Sequence, residues 1–281
     1  MRILLCLALL VASITSSGEP AANKKPGILF YNSIFKPLIA DPKWPRFTLA
    51  YQYHMKDVFG RHMFAPNFGA VLPLIRATTK GGTTYELSVH AGIFSIMDVG
   101  SRPTRLINSD FFGGPALAIQ KDKFDYLIRI AHTSSHLGDE FLLSKRGRNT
   151  TRINLSYETA EAIVAYRSET GLRPYAGLGY IVSADPKSFR SAEVTIGLDY
   201  RSTAVILKGY AKPVFGIYSK TSRNYNWNPT LSIKAGLEFE DKIVLGKALQ
   251  VLLEYYRGNS IHGQFYKNRE NRIGTSLNID F

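Results

Sequence analysis

Phe124-Asp125-Tyr126-Leu127-Ile128-Arg129-Ile130-Ala131-His132-Thr133-Ser134-Ser135-His136 is the stretch from which the fold can be read. Successive residues of a strand point to opposite sides. Phe124, Tyr126, Ile128 and Ile130 therefore share one face, and Asp125, Arg129 and Thr133 share the other. The same count puts His132 and Ser134 on the apolar face. In a soluble protein that face would be a core; in a transmembrane barrel it would be the wall that meets lipid.

The rest of the chain favours the barrel. Residues 46–55 set Phe47, Leu49, Tyr51 and Tyr53 against Thr48, Ala50, Gln52 and His54. Residues 67–76 follow, with Pro73 predicting a bulge or an irregular strand end. Further strands are expected at 83–97, 111–120, 152–166, 172–183, 192–200, 204–215, 230–240, 249–257 and 272–281, making about twelve in all. Connections alternate between short turns, such as Lys121-Asp122-Lys123, and long stretches, such as 137–151 and the polar 219–228. The face opposite the apolar one carries Glu86, Arg129, Arg173, Glu193, Asp199, Lys234, Glu238 and Glu254. A sandwich core would not hold them, because an unpaired buried charge costs several kcal/mol, whereas a polar lumen can pair and hydrate them. The expected fold is an all-β, antiparallel transmembrane β-barrel with an even strand number and both termini on the periplasmic side.

Composition agrees. No segment after the start has the run of about 18 apolar residues that a membrane helix needs, and Tyr and Phe number 16 each, a load that suits strands and interfacial girdles. Met1-Arg2, the apolar residues 3–14 and Thr15-Ser16-Ser17 read as a signal peptide over 1–17, too short to span as a helix. Cys6, the single cysteine, lies inside it, too close to the start for a lipobox, so the exported chain has no disulfide and no Cys-ligated metal. Residues 18–45 read as a Pro-punctuated periplasmic arm or plug, and 46–281 as the barrel. Lys and Arg exceed Asp and Glu by 35 to 22, a net charge of +13. Behind an export signal that points to outer-membrane lipid and lipopolysaccharide as partners rather than nucleic acid, or to solvated loop charges.

His132 and Ser134 offer chemistry. A serine hydroxyl becomes a nucleophile when an imidazole takes its proton, and the imidazole needs a third group to orient it. Two residues apart on one strand face, the pair comes from one rigid element. Candidates for the orienting group are Asn149, Asn154 and Glu158, or Asp139 and Glu140. Glu158 shares a face with Asn154 and Ser156, a face that could equally line the lumen. His132 and His136 could instead meet headgroup phosphates at the rim. A helical zinc site from these two is spoiled by Gly138 and the strand pattern, and no metal ligand set is assigned; no cofactor is expected, with calcium at Asp139, Glu140 and loop carbonyls as the open alternative. His136, Asp139, Glu140, Trp227, His262 and Gln264 are the candidate binding residues of the outer loops.

Three resemblances extend this. The His132-Thr133-Ser134 arrangement resembles the outer-membrane barrel acyl hydrolases, outer-membrane phospholipase A and the lipid A deacylases, which carry a His-x-Ser pair on an outward strand. It implies His132 as general base and Ser134 as nucleophile. The chain departs from them at Ser135, where Asn is usual, and at Arg146, where the orienting residue would stand. The alternating Ile273, Thr275, Leu277, Ile279 and terminal Phe281 resemble the signal read by the bacterial barrel-assembly machinery, the second partner implied. Several phrases are also similar to the domain of unknown function 1207 family: 35–42, Ser134-Ser135-His136-Leu137-Gly138-Asp139-Glu140-Phe141, 154–158, 253–256 and Gly263-Gln264-Phe265-Tyr266. That resemblance implies an outer-membrane barrel and brings no activity. The expectation is an interfacial acyl-ester hydrolase acting on phospholipid or lipid A; the alternatives are a barrel binding anionic glycolipid, or a narrow channel lined by Arg129, Glu86 and Glu254.

Overall fold

The computed structural model describes residues 27–28, 32–56, 59–244 and 247–280, so the expected signal peptide and Phe281 lie outside the described residues. A two-residue bridge, β1 (Gly27–Ile28), precedes the barrel strands β2 (Phe47–His54), β3 (His62–Thr78), β4 (Thr84–Asp98), β5 (Arg105–Lys121) and β6 (Phe124–Leu137). They continue as β7 (Leu155–Tyr166), β8 (Leu172–Asp185), β9 (Ala192–Arg201), β10 (Ala211–Ser222), β11 (Leu231–Val244), β12 (Lys247–Asn259) and β13 (Arg269–Ile279). Each of β2 to β13 pairs antiparallel with the next, and β13 returns to β2, so the twelve strands close without an edge. Among the described residues, no helix is long and apolar enough to cross a membrane.

Strand alternation sorts the side chains as the sequence predicts. Outward positions carry Phe68, Leu72, Val89, Ile93, Phe111, Ile128, Ile130, Leu178, Ile196, Leu253 and Ile273, all exposed. An apolar belt of this extent is unfavourable in water and is the surface a barrel presents to hydrocarbon. The ladder between β3 and β4 shifts register between Pro73 and Ile75, the bulge expected at Pro73. Residues 204–210 correct the expected strand at 204–215. Leu207, Lys208 and Gly209 take positive φ and fold the chain into a turn closed by an Ile206–Ala211 bridge, so β10 begins at Ala211 and includes part of the expected loop. Apolar alternation at Val205 and Leu207 imitates a strand, but here both side chains are exposed on a connection.

The inward charges are paired. Glu193 meets Lys220 at 2.6 Å and Glu254 meets Lys234 at 2.7 Å. Arg129 binds Glu161 and stacks over Trp44 and Phe112 at 5.6 and 5.0 Å. Glu86, fully buried, holds Arg76, the Ser33 hydroxyl at 2.6 Å and the Ile34 amide at 3.2 Å. Arg129, Glu86 and Glu254 thus each close an ion pair with a cation or carboxylate of the interior. Residues 34–45 rise inside the barrel, with Phe35, Leu38, Ile39, Ala40 and Trp44 buried there. Phe35 stacks on Trp44 at 5.8 Å, and the Ile39 amide donates to Asp199 at 3.1 Å. An arm of this composition fills the lumen with apolar volume while its backbone answers the wall's carboxylates.

At the end carrying the longer connections a second buried cluster gathers Phe59, Met63, Ile96, Ile107, Phe141 and Phe265. His262 packs edge-on to Phe59 at 6.2 Å, and neither ring nitrogen has a partner. Burial holds its pKa well below the ordinary imidazole value, with the cations Lys43 and Arg272 acting in the same direction. The folded chain therefore binds fewer protons here than the unfolded chain, whose imidazole titrates near about 6.5. Stability from this packing is complete above that pH and is lost as pH falls below it. Proteolysis of the connection between β12 and β13 is expected to quicken from pH 8 to pH 5, and His262→Phe to flatten the trend. An equal quickening in His262→Phe would place the pH sensitivity elsewhere.

Candidate active site

β6 alternates without interruption from Phe124 outward and Asp125 inward to His132 outward and Thr133 inward. His132, half-buried Ser134 and exposed His136 stand together on the exterior, at the end of β6 near the long connections. The β6–β7 ladder pairs His132 with Glu158 and Ser134 with Ser156. That register brings the His132 Nδ1 to 2.9 Å from Glu158 Oε1, with 50% and 40% of the side chains exposed. An ionised carboxylate only accepts, so Nδ1 carries the proton and Nε2 keeps its lone pair in the neutral ring. Ser134 Oγ lies 3.4 Å from His136 Nε2. His136 in turn meets the Phe111 ring edge-on at 5.6 Å.

Glu158 corrects the lumen alternative: its side of β7 faces outward, as does Asn154, while Tyr157 and Glu161 line the interior. A register shift between Glu158 and Thr159 sets Ser183 of β8 opposite Glu158. Bulges of this kind re-aim side chains beside functional sites. Asn154 is engaged elsewhere, donating to Asp185 at 2.8 Å. Asn149 lies in the turn Gly147–Asn149, outside β7, and its side chain is outside the described residues.

Asp139 and Glu140 open the one-turn helix α1 (Asp139–Leu142) and are exposed. Among the described residues, no three or more His, Cys, Asp or Glu side chains group to hold a metal ion. Trp227 is 49% exposed on the connection between β10 and β11, apart from β6 and β7. His262 and Gln264, expected on an accessible loop, are buried instead. The loop turns inward because its amides answer strand groups. Gln264 Nε2 donates to the Ser135 and Ile153 carbonyls at 2.7 and 2.8 Å, and the Gly263 amide donates to Asp110 at 3.1 Å. A Cβ at Gly263 would lie 2.7 Å from the Ser135 side chain, so only glycine permits this approach.

Sequence reasoning missed this backing. Ser135, one residue from Ser134, points inward and donates to Asp110, which also binds Lys43 of the arm. The rear of β6 is thereby fixed by the arm, by β5 and by the last long connection. An inward polar triplet of Asn108, Asp110 and Ser135 at alternating strand positions was the available signal.

The fold resembles solved barrels. Outer membrane phospholipase A from Escherichia coli superposes with a TM-score of 0.58 at 11% identity, over 87% of this chain and 93% of that one. The Salmonella typhi outer membrane phospholipase dimer with bound calcium gives 0.57 at 10% identity, covering 88% and 94%. The transport unit of the Escherichia coli autotransporter AIDA-I gives 0.47 at 12% identity, covering 89% and 94%. For the two phospholipases, at such identities, the likeness is one of fold. No curated protein matches the chain. Residues 15–281 match the model described as protein of unknown function (DUF1207), and the chain belongs to that family.

Proposed function

We propose that the protein is an outer-membrane acyl-ester hydrolase acting at the membrane interface, with Ser134 as nucleophile, His132 as general base and Glu158 as orienting carboxylate. The contact between Glu158 and His132 on the exterior carries this reading, because a carboxylate against Nδ1 leaves Nε2 as the base. Among the described residues no hydrogen bond joins Ser134 to His132, so the reading requires Ser134 Oγ to turn from His136 toward that nitrogen, a rotation between staggered positions. Ser134 Oγ attacks the ester carbonyl carbon and its proton passes to His132. The ester C–O bond breaks, His132 protonates the departing alcohol, and water releases the acid by the same steps in reverse order. The likeness to outer membrane phospholipase supports the fold in which such chemistry is housed, and the apolar belt supports placing the ester at the headgroup level.

The test is fatty-acid release from phospholipid and lipid A by the refolded protein, together with mass-spectrometric mapping of an alkylsulfonyl fluoride. Release with label on Ser134 is the expected result. A correctly folded barrel that releases nothing and takes no label sinks the hydrolase.

A second reading has its own observation. Arg61, His62, Arg105, Lys145 and Arg146 surround an open cleft of about 450 Å³ with Asp98 as the acidic member. Such a cleft suits an anionic headgroup. Binding of lipopolysaccharide that weakens with salt and with Lys145→Ala would support it, and salt-independent binding would remove it.

A further inference from the structure

An open trough of about 670 Å³ runs along the exterior from β2 to β6. His132 stands at one end, and Phe47 and Phe68, edge-on at 5.5 Å, stand at the other. Its floor follows one row of ladder partners: Ala70 beside Ala91, Ala91 beside Gly113, and Gly113 beside His132. One row toward the long connections, Phe68, Ile93, Phe111 and Ser134 are partners in the same order. On the other side the next outward row of ladder partners is Leu72, Val89 and Pro115. Nucleophile and base therefore sit at the head of two adjacent rows, one a wall and one the floor.

Gly113 gives the second observation. A Cβ built there meets nothing nearer than 3.8 Å, and its φ is not in the left-handed region, so neither packing nor backbone requires glycine. An outward strand position favours β-branched or aromatic residues, and glycine in a strand costs about 0.5–1 kcal/mol relative to alanine. Glycine without a structural reason marks close approach by something else.

We propose that the trough holds one acyl chain of a glycerophospholipid whose ester carbonyl lies at Ser134; this rests on the hydrolase reading above. The outward rows on either side of the floor stand about 7 Å from it along the strand, a spacing that suits a single chain. Four inter-strand steps of about 4.8 Å give roughly 19 Å of length, enough for a long chain and far beyond a short one. A second protein copy needs a broad complementary surface of about 800 Å² per partner, which a slot one chain wide does not provide.

The experiment compares dipalmitoyl and dioctanoyl phospholipid, and lipid A, as substrates for the refolded wild type, Ala91→Leu and Leu178→Phe. Ala91→Leu fills the floor two strands from His132, and Leu178 lies outward on β8, off the trough. The palmitoyl-to-octanoyl ratio of kcat/KM is expected to fall at least tenfold in Ala91→Leu and to stay at the wild-type value in Leu178→Phe. An unmoved ratio overturns the trough while the hydrolase stands. Cleavage of lipid A with the same sensitivity to Ala91→Leu overturns the assignment to phospholipid. Loss of a dimer on sedimentation with an unmoved ratio gives the trough to a second copy and overturns it likewise. If wild type cleaves no ester, the hydrolase fails alone and the trough is judged by binding of parinaric acid. Tenfold weaker binding by Ala91→Leu then upholds it, and equal binding overturns it. Ala70→Leu repeats each arm if Ala91→Leu does not fold.

Discussion

Ser134→Ala and His132→Ala are each expected to lower kcat for ester hydrolysis by about ten-thousandfold or more, and the double variant to be no worse than either alone. The reason is that nucleophile and base work as a unit, so removing one leaves nothing for the other to do. Glu158→Ala is expected to lose less, about a thousandfold, because its work is orientation and stabilisation of the imidazolium. Glu158→Gln should fall between Glu158→Ala and wild type, since the amide oxygen can still accept from Nδ1 without supplying charge. His136 makes the series discriminating. It stands 3.4 Å from Ser134 Oγ, whereas the carboxylate lies against His132. If His136 were the base, His136→Ala would abolish turnover and His132→Ala would be mild. The expected order is the reverse, with His136→Ala costing about tenfold or less through lost positioning. Steady-state rates of fatty-acid release from mixed micelles measure the whole series, and retention of the folded electrophoretic form shows that each variant is still a barrel.

The barrel was legible in the chain because one physical rule, alternation at period two, repeats through it with charges on one side and apolar residues on the other. Arg129 and Ile130 alone state the problem, since no single environment accepts both faces unless one is lipid and the other a paired lumen. The same rule placed His132 and Ser134 outside. It could not place Glu158, because a bulge near its register with Ser183 and the pairing of β7 with β6 are relations between strands. Nor could it place His262 and Gln264 in the interior. Their loop is polar enough to be exposed, and it folds inward only because the Ser135 and Ile153 carbonyls and the Asp110 carboxylate need donors. The turn at 204–210 shows the converse failure, in which apolar alternation without a ladder partner is not a strand.

Arg129→Met is expected to destabilise the barrel by about 3–5 kcal/mol, and Arg129→Met with Glu161→Leu to recover most of that loss. Arg129 lies on β6 three positions before His132 and on the opposite face. Its guanidinium answers Glu161, covers Trp44 of the arm and Phe112 of β5, and so ties three parts of the structure behind the candidate site. Removing it alone leaves the Glu161 carboxylate in an interior where bulk water cannot repay the lost partner; removing both leaves apolar surface against Trp44 and Phe112, which such surface suits. Denaturant titration followed by tryptophan emission measures the difference. The chain has two tryptophans, and Trp227→Phe leaves Trp44 as the reporter of whether the arm stays seated. Both charges also border an internal space of about 130 Å³ that includes Lys220, Glu193 and Asp110. If that space is hydrated enough to solvate a lone carboxylate, Arg129→Met will cost under about 1 kcal/mol, as a surface pair does. A full penalty with recovery in the double variant would instead show that the lumen is held shut by paired charge, and that the strand bearing His132 is held rigid from behind by the same contacts.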